Sequence, residues 1–112
     1  MKAIAIAALA ALVAALVIAL PANAATPVIK GTVGPGFTIT IAKKPTKAGT
    51  YKLVVADKSN IHNFHLTGPG VNVKTSVPAT GTKTFTIKLK KGTYKYVCDP
   101  HASLMKGSFR IK

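Results

Sequence analysis

Five stretches of this chain alternate apolar and polar side chains with a period of two residues. Their apolar positions are Phe37, Ile39 and Ile41; Tyr51, Leu53 and Val55; Phe85, Ile87 and Leu89; Tyr94, Tyr96 and Cys98; and Phe109 and Ile111. Turn signals with glycine separate them, at 34–36, 47–49, 68–70, 80–81 and 91–92. This period is typical of strands with one buried face. The pattern predicts a small all-β fold, an antiparallel sandwich or barrel, with edge strands around 29–33 and 71–73.

The first 24 residues have a different composition and are expected to lie outside this fold. Lys2 precedes an unbroken apolar run from residue 3 to residue 20, and Pro21 and the small residues Ala22 and Ala24 follow. This arrangement is typical of a secretory signal peptide. We expect cleavage after Ala24, export to the periplasm or beyond, and one domain over 25–112. The alternative is an uncleaved membrane anchor, since 18 apolar residues nearly span a bilayer.

The charge of the chain is strongly one-sided. Sixteen Lys and Arg residues face only two acids, for a net charge of +14, or +13 once Lys2 is removed with the leader. Such a charge attracts anionic partners and speeds their association. The lysines are scattered along strand patterns and form no helical basic stripe, so nucleic acid is not the expected partner.

Three metal-binding side chains follow one another at the end of the fourth alternating stretch. Cys98 is the one cysteine of the chain, and His101 and Met105 come after it on a loop that Pro100 bends. A lone thiol is a liability in an oxidising compartment unless something occupies it. With a histidine from Ile61–Leu66, the set becomes two imidazoles, a thiolate and a thioether, the ligands of a mononuclear copper site. Alternatively, Cys98 and Met105 are ordinary core residues.

The motif C-x2-H-x3-M, preceded by Y-x-Y-V and by a distant His-Asn pair, resembles the cupredoxins, the small blue copper proteins such as plastocyanin, pseudoazurin and amicyanin. The resemblance implies a Greek-key β-sandwich and one type 1 copper ion. It implies these ligands: His62, Cys98 and His101 in the equatorial plane and Met105 as the weak axial ligand. The spacer between His101 and Met105 has three residues, where plastocyanin and pseudoazurin have four and amicyanin has two.

The resemblance also assigns a supporting role to Asn63. In the family its backbone N–H donates to the thiolate and its side chain binds the residue after the cysteine, which is usually Ser or Thr. That residue is Asp99 here, which places a possible negative charge beside the site. A straight strand would put His62 and His65 on opposite faces, so both cannot easily reach one ion. Because His62 matches the His-Asn pair of the family, we expect His65 to lie outside the ligand set unless a bulge reverses the choice.

These features lead to a functional hypothesis. The expected protein is an exported electron carrier that cycles one copper ion between Cu(I) and Cu(II), and not an enzyme, since no paired carboxylates or Ser/His/Asp set is present. It is expected to be a monomer that meets an acidic redox protein or an anionic membrane surface. The docking patch would surround His101, formed by these apolar neighbours: Pro69, Val71, Ala102 and Leu104. The alternatives are a copper carrier or storage protein and a metal-free adhesion module.

Overall fold

The computed structural model describes residues 25–112, so the predicted signal peptide, residues 1–24, lies outside the described residues. Eight strands follow one another: β1 Val28–Val33, β2 Ile39–Ile41, β3 Gly49–Asp57, β4 His65–Gly68, β5 Val71–Lys74, β6 Gly81–Leu89, β7 Gly92–Val97 and β8 Lys106–Ile111. They form two four-stranded sheets, in the orders β2-β1-β3-β6 and β5-β4-β7-β8. The predicted all-β sandwich is confirmed. No helix within 25–112 is long and apolar enough to cross a membrane.

The first sheet differs from the prediction at β1. This strand pairs with β2 antiparallel and with β3 parallel, so it lies inside the sheet and its sheet is not purely antiparallel. The edge strand predicted for residues 29–33 is therefore wrong, and β2 is the edge. The register explains why, because Ile29 and Val33 are buried beside Leu53 and Asp57, their partners on β3. The second predicted edge strand, β5, is confirmed.

The alternating apolar residues form the core between the sheets. Seventeen buried apolar residues pack into one cluster. Two aromatic pairs stack in it, Phe64 on Tyr96 at 5.7 Å and Tyr94 on Phe109 at 5.3 Å between ring centroids. Fully burying a large side chain of this kind contributes about 1.5–3 kcal/mol to folding. A side chain at Gly68 would put its Cβ 2.2 Å from the ring of Tyr94, so glycine is needed for this packing.

One end of the sandwich gathers the loops that hold the candidate site. The parallel strands β1 and β3 end side by side, with Val33 opposite Asp57. β7 ends where β4 begins, with Val97 opposite His65. The loops 34–38, 58–64 and 98–105 leave the strands at these ends. The topology therefore brings together residues that are more than 60 positions apart in the chain.

Candidate metal centre

Three of the predicted ligand side chains meet at this end of the sandwich. Nδ1 of His62 lies 3.1 Å from Nδ1 of His101, and Sγ of Cys98 lies 3.7 Å and 3.6 Å from these two nitrogens. The point equidistant from these three atoms lies about 2.0 Å from each of them. For comparison, imidazole nitrogens bind a metal at about 2.0–2.1 Å and thiolates at about 2.3 Å. The three donor atoms are therefore spaced to bind one ion.

Backbone hydrogen bonds shape the loop that carries Cys98 and His101. Cys98 is still extended and precedes a single turn of 3-10 helix, Asp99–His101, in which Pro100 occupies a first-turn position that needs no donor. The Cys98 amide donates to the Met105 carbonyl at 3.0 Å, and the Met105 amide donates to the His101 carbonyl at 2.8 Å. These bonds close the loop on itself and turn the thiolate and the imidazole inward. Met105 is 1% exposed and lies at the end of the same loop.

The segment His62–Phe64 is held in a different way from the one predicted. His62, Asn63 and Phe64 are all buried, and β4 begins only at His65. The predicted straight strand with alternating faces is therefore wrong for these residues. Two bonds to Thr75 fix the segment, since the Phe64 amide donates to Thr75 Oγ1 and the Thr75 amide donates to the Phe64 carbonyl. Freed from the strand period, three consecutive side chains turn inward.

Asn63 joins the two ligand segments. Its backbone amide points at Cys98 Sγ at 3.5 Å, and its Nδ2 donates to Asp99 Oδ2 at 2.8 Å and to the Thr75 carbonyl at 3.3 Å. In return the Asp99 amide donates to Asn63 Oδ1 at 2.7 Å. Asp99 thus occupies the place of the hydroxyl residue of the family pattern and makes two bonds to the asparagine.

His65 lies outside the cluster and binds Asp99. Its Nδ1 is 2.8 Å from Asp99 Oδ1, and its Nε2 is 2.7 Å from Asn72 Oδ1. Burial raises the pKa of the Asp99 carboxyl, but the hydrogen bonds from Asn63 and His65, with the charges of His65 and Lys74, outweigh this and hold the pKa below its usual value. Asp99 is therefore a carboxylate beside the cluster at neutral pH.

Phe37 is a site residue that the sequence pattern placed wrongly. It was expected on the buried face of a strand, yet it precedes β2 and is 53% exposed. Its ring lies edge-on against the imidazoles of His62 and His101, with centroids at 5.1 and 5.0 Å. The turn Gly34-Pro35-Gly36 just before Phe37 was the available signal that this residue precedes the strand, since a strand begins only after the turn is complete.

The residues of the predicted docking patch do not all lie at the surface around His101. Leu104 is 66% exposed on the loop of His101, and Ala102 is exposed as well. Val71 is 8% exposed and belongs to the core. Pro69 lies against Gly92, where β7 begins, at the opposite end of the sandwich from Cys98. The apolar surface around half-buried His101 is therefore made by Phe37 and the 98–105 loop.

The comparisons with known proteins agree with this geometry. The family model for copper binding proteins of the plastocyanin/azurin family matches residues 30–112. None of the curated proteins matches the chain. Among solved structures, reduced rusticyanin at 1.9 Å is 24% identical, with a TM-score of 0.60 over 80% of this chain and 81% of the other. The NMR structure of reduced rusticyanin is 26% identical, with a TM-score of 0.53 over 76% of each chain.

A further match is to a heme-copper terminal oxidase dimer, 20% identical, with a TM-score of 0.55 over 79% of this chain and 66% of the other. At these identities the structural matches show the fold, and the family model covers nearly all of the described domain. The donor set of the cluster, two imidazoles, a thiolate and a thioether nearby in the loop, is the one that type 1 copper requires. The chain belongs to the copper-binding plastocyanin/azurin family, and its cofactor is one copper ion.

Proposed function

We propose that this protein is an exported carrier of single electrons that binds its copper through His62, Cys98 and His101, with Met105 as the weak axial ligand. The observation that supports this most directly is the triangle of Nδ1, Nδ1 and Sγ with sides of 3.1–3.7 Å. Copper held by such donors gains and loses one electron, and soft sulfur ligands favour Cu(I) while imidazoles serve both states.

The arrangement of the residues suits this role. Because both imidazoles present Nδ1 to the cluster, each carries its proton on Nε2 when the metal is bound. His62 and Cys98 are completely buried, which excludes water, whereas His101 is half-buried and offers the one ring edge of the cluster that reaches the surface. Electrons would enter and leave through that edge. With the axial position given to Met105, no ligand position is left for a substrate, which supports a carrier and not an enzyme.

The second candidate function is a copper carrier or storage protein. A protein that hands over its metal needs ligands that an acceptor can reach. Here two of the ligands have 0% exposure, and backbone hydrogen bonds from Asn63, Met105 and Thr75 hold the segments that carry them. This burial favours retention of the ion through many redox cycles.

The visible spectrum and repeated cycling test the proposal together. Copper-loaded protein should show an intense thiolate-to-copper charge-transfer band, and Cys98→Ser should lack it while keeping the fold by circular dichroism. The colour should bleach on reduction and return on oxidation through repeated cycles. No copper should pass into the filtrate when the protein is ultrafiltered after each cycle. Loss of copper to a mild chelator within a few cycles would favour the carrier or storage function instead.

We further propose that the partner is an acidic redox protein that docks at the end of the sandwich around His101. Phe37 and Leu104 supply the exposed apolar surface there. The two acidic side chains of the chain are Asp57, buried, and Asp99, bonded to Asn63 and His65, so no free acidic side chain opposes the lysines in residues 25–112. Attraction of this kind is screened beyond about 10 Å at 0.1 M salt.

Charge reversal at the two ends of the molecule tests the docking site. Lys58 and Lys106 border the loops of the site, whereas Lys43 and Lys91 lie at the opposite end. With the partner or an acidic surrogate, the electron-transfer rate of Lys58→Glu/Lys106→Glu should fall several-fold at low salt. The matched pair Lys43→Glu/Lys91→Glu carries the same charge change and should fall less. Equal losses would mean that total charge matters and that the site end has no special role.

Export is the third part of the proposal, and it is supported by the predicted leader, residues 1–24, and by the family, whose members are typically exported. Mass spectrometry of the protein from its host should give a mature chain that begins at Ala25. A chain that keeps Lys2 and fractionates with membranes would support the alternative of an uncleaved anchor.

A further inference from the structure

We propose that His65 is a positioning residue of the copper centre, a hydrogen-bonding clamp on Asp99 that fixes Asn63 and offsets part of the carboxylate charge next to Cys98. This inference rests on the proposed function only in taking Cys98 as a copper ligand. Within residues 25–112, His65 makes no hydrogen bond to His62, Cys98 or His101, and it acts through Asp99.

The first argument is the hydrogen bonding of the His65 ring. Nδ1 faces the carboxylate oxygen Asp99 Oδ1 and Nε2 faces the amide oxygen Asn72 Oδ1, at 2.8 and 2.7 Å. The carboxylate only accepts, so Nδ1 donates to it, and the Asn72 amide can pair with Nε2 whether or not that nitrogen carries a proton. Asn72 on β5 and Asp99 after β7 thereby hold the ring from two sides.

The second argument is the continuity of the contacts from His65 to the thiolate. Asp99 divides its two oxygens, Oδ1 to His65 and Oδ2 to Asn63 Nδ2. Asn63 then points its backbone amide at Cys98 Sγ. The clamp thus reaches the sulfur through one carboxylate and one asparagine, and hydrogen bonds to a ligating sulfur tune the potential of its metal.

The third argument is charge. Asp99 is hydrogen-bonded to Asn63 and follows Cys98 directly in the chain. An unbalanced carboxylate at this position would stabilise Cu(II) over Cu(I) and lower the reduction potential. The hydrogen bond from His65 Nδ1 offsets part of that charge at 2.8 Å, with the pair 20% and 42% exposed. The other charged groups nearby are Lys74, opposite His65 on β5, and Lys106, one strand beyond Val97 on β8. Both are cationic and flexible, and neither makes a hydrogen bond to Asp99 in the described part of the chain.

Four variants separate the carboxylate charge from the hydrogen bond: His65→Leu removes the hydrogen bond, His65→Gln keeps one donor, Asp99→Asn removes the carboxylate, and His65→Leu/Asp99→Asn combines two. The reduction potential of the copper-loaded proteins should fall in His65→Leu, fall less in His65→Gln, and rise in Asp99→Asn. The double variant should recover much of the loss of His65→Leu, because no uncompensated charge remains. A purely structural role for His65 predicts no such recovery.

Two measurements keep this test independent of the proposed function. Urea denaturation of the copper-free proteins should give a double-mutant coupling between His65 and Asp99. Nitrogen NMR of the copper-free wild type should show a proton on His65 Nδ1, the nitrogen that faces Asp99. Unchanged potentials in His65→Leu with an intact visible band, or a His65 Nδ1 that carries no proton, would overturn the clamp. Loss of the band in the wild type would instead overturn the copper assignment and leave the coupling in the apo protein as the test of the clamp.

Discussion

The side-chain amide of Asn63 should contribute a large part of the free energy of unfolding of this domain. Asn63→Ala removes three hydrogen bonds of a side chain that is 2% exposed, those to the Thr75 carbonyl, to Asp99 Oδ2 and from the Asp99 amide. A neutral bond contributes about 1 kcal/mol and one to a charged group about 1.5–3 kcal/mol. Because Asp99 is 42% exposed and water can replace part of the loss, we expect about 3 kcal/mol in total.

That loss is large for a domain of this size. At about 0.05–0.15 kcal/mol per residue, the 88 residues 25–112 have a total free energy of unfolding of about 4–13 kcal/mol. With a urea dependence of about 2 kcal/mol per molar, the midpoint of the copper-free protein should fall by about 1.5 M. Fluorescence or circular dichroism in urea measures this shift.

The control is Asn60→Ala, the same chemical change at an exposed position of the same loop. Asn60 makes no side-chain hydrogen bond within the described residues, and an exposed substitution of this kind changes stability by about 0.5 kcal/mol or less. If Asn63→Ala and Asn60→Ala have the same midpoint, Asn63 does not tie the two ligand segments together, and the account of how the site is held is refuted.

Three further predictions concern the metal, the histidines and pH. Copper should raise the melting temperature, since binding to the folded state alone adds about 4 kcal/mol at a thousandfold excess over Kd; equal melting of confirmed holo and apo protein would contradict this. His62→Ala should abolish the coloured site and His65→Ala should keep it, because His62 points Nδ1 at the cluster and His65 points its Nδ1 at Asp99. Visible spectra that show the reverse would contradict the geometry. Burial raises the pKa of the Asp57 carboxyl, and the hydrogen bond from the Ser59 amide, the charge of His62 and the hydrogen bond from the Thr75 side chain offset this only in part. The folded state therefore holds this proton more tightly, and the stability of wild type relative to Asp57→Asn should fall as pH rises from about 4 through the raised pKa; urea midpoints with the same pH profile for both proteins would refute this.

The strand pattern was readable because it is local. Ile87 and Leu89, or Tyr94 and Tyr96, alternate with polar neighbours, and the alternation by itself identifies a strand with one buried face. Phe37 and His62–Phe64 were misread where the alternation continues past the end of a strand. In both places a loop is held by distant partners, the imidazoles in one case and Thr75 in the other.

The sequence by itself determined the all-β class and the types of donor in the C-x2-H-x3-M loop, because these depend on neighbouring residues. Only the tertiary structure decided that β1 lies inside its sheet, that Nδ1 of His62 reaches the same point as Cys98 and His101, and that His65 binds Asp99. The physical reason is that each of these depends on contacts between segments far apart in the chain. Such contacts are set by the register and closure of the two sheets. The period of one strand shows which of its faces is buried, but not which strands pair with it.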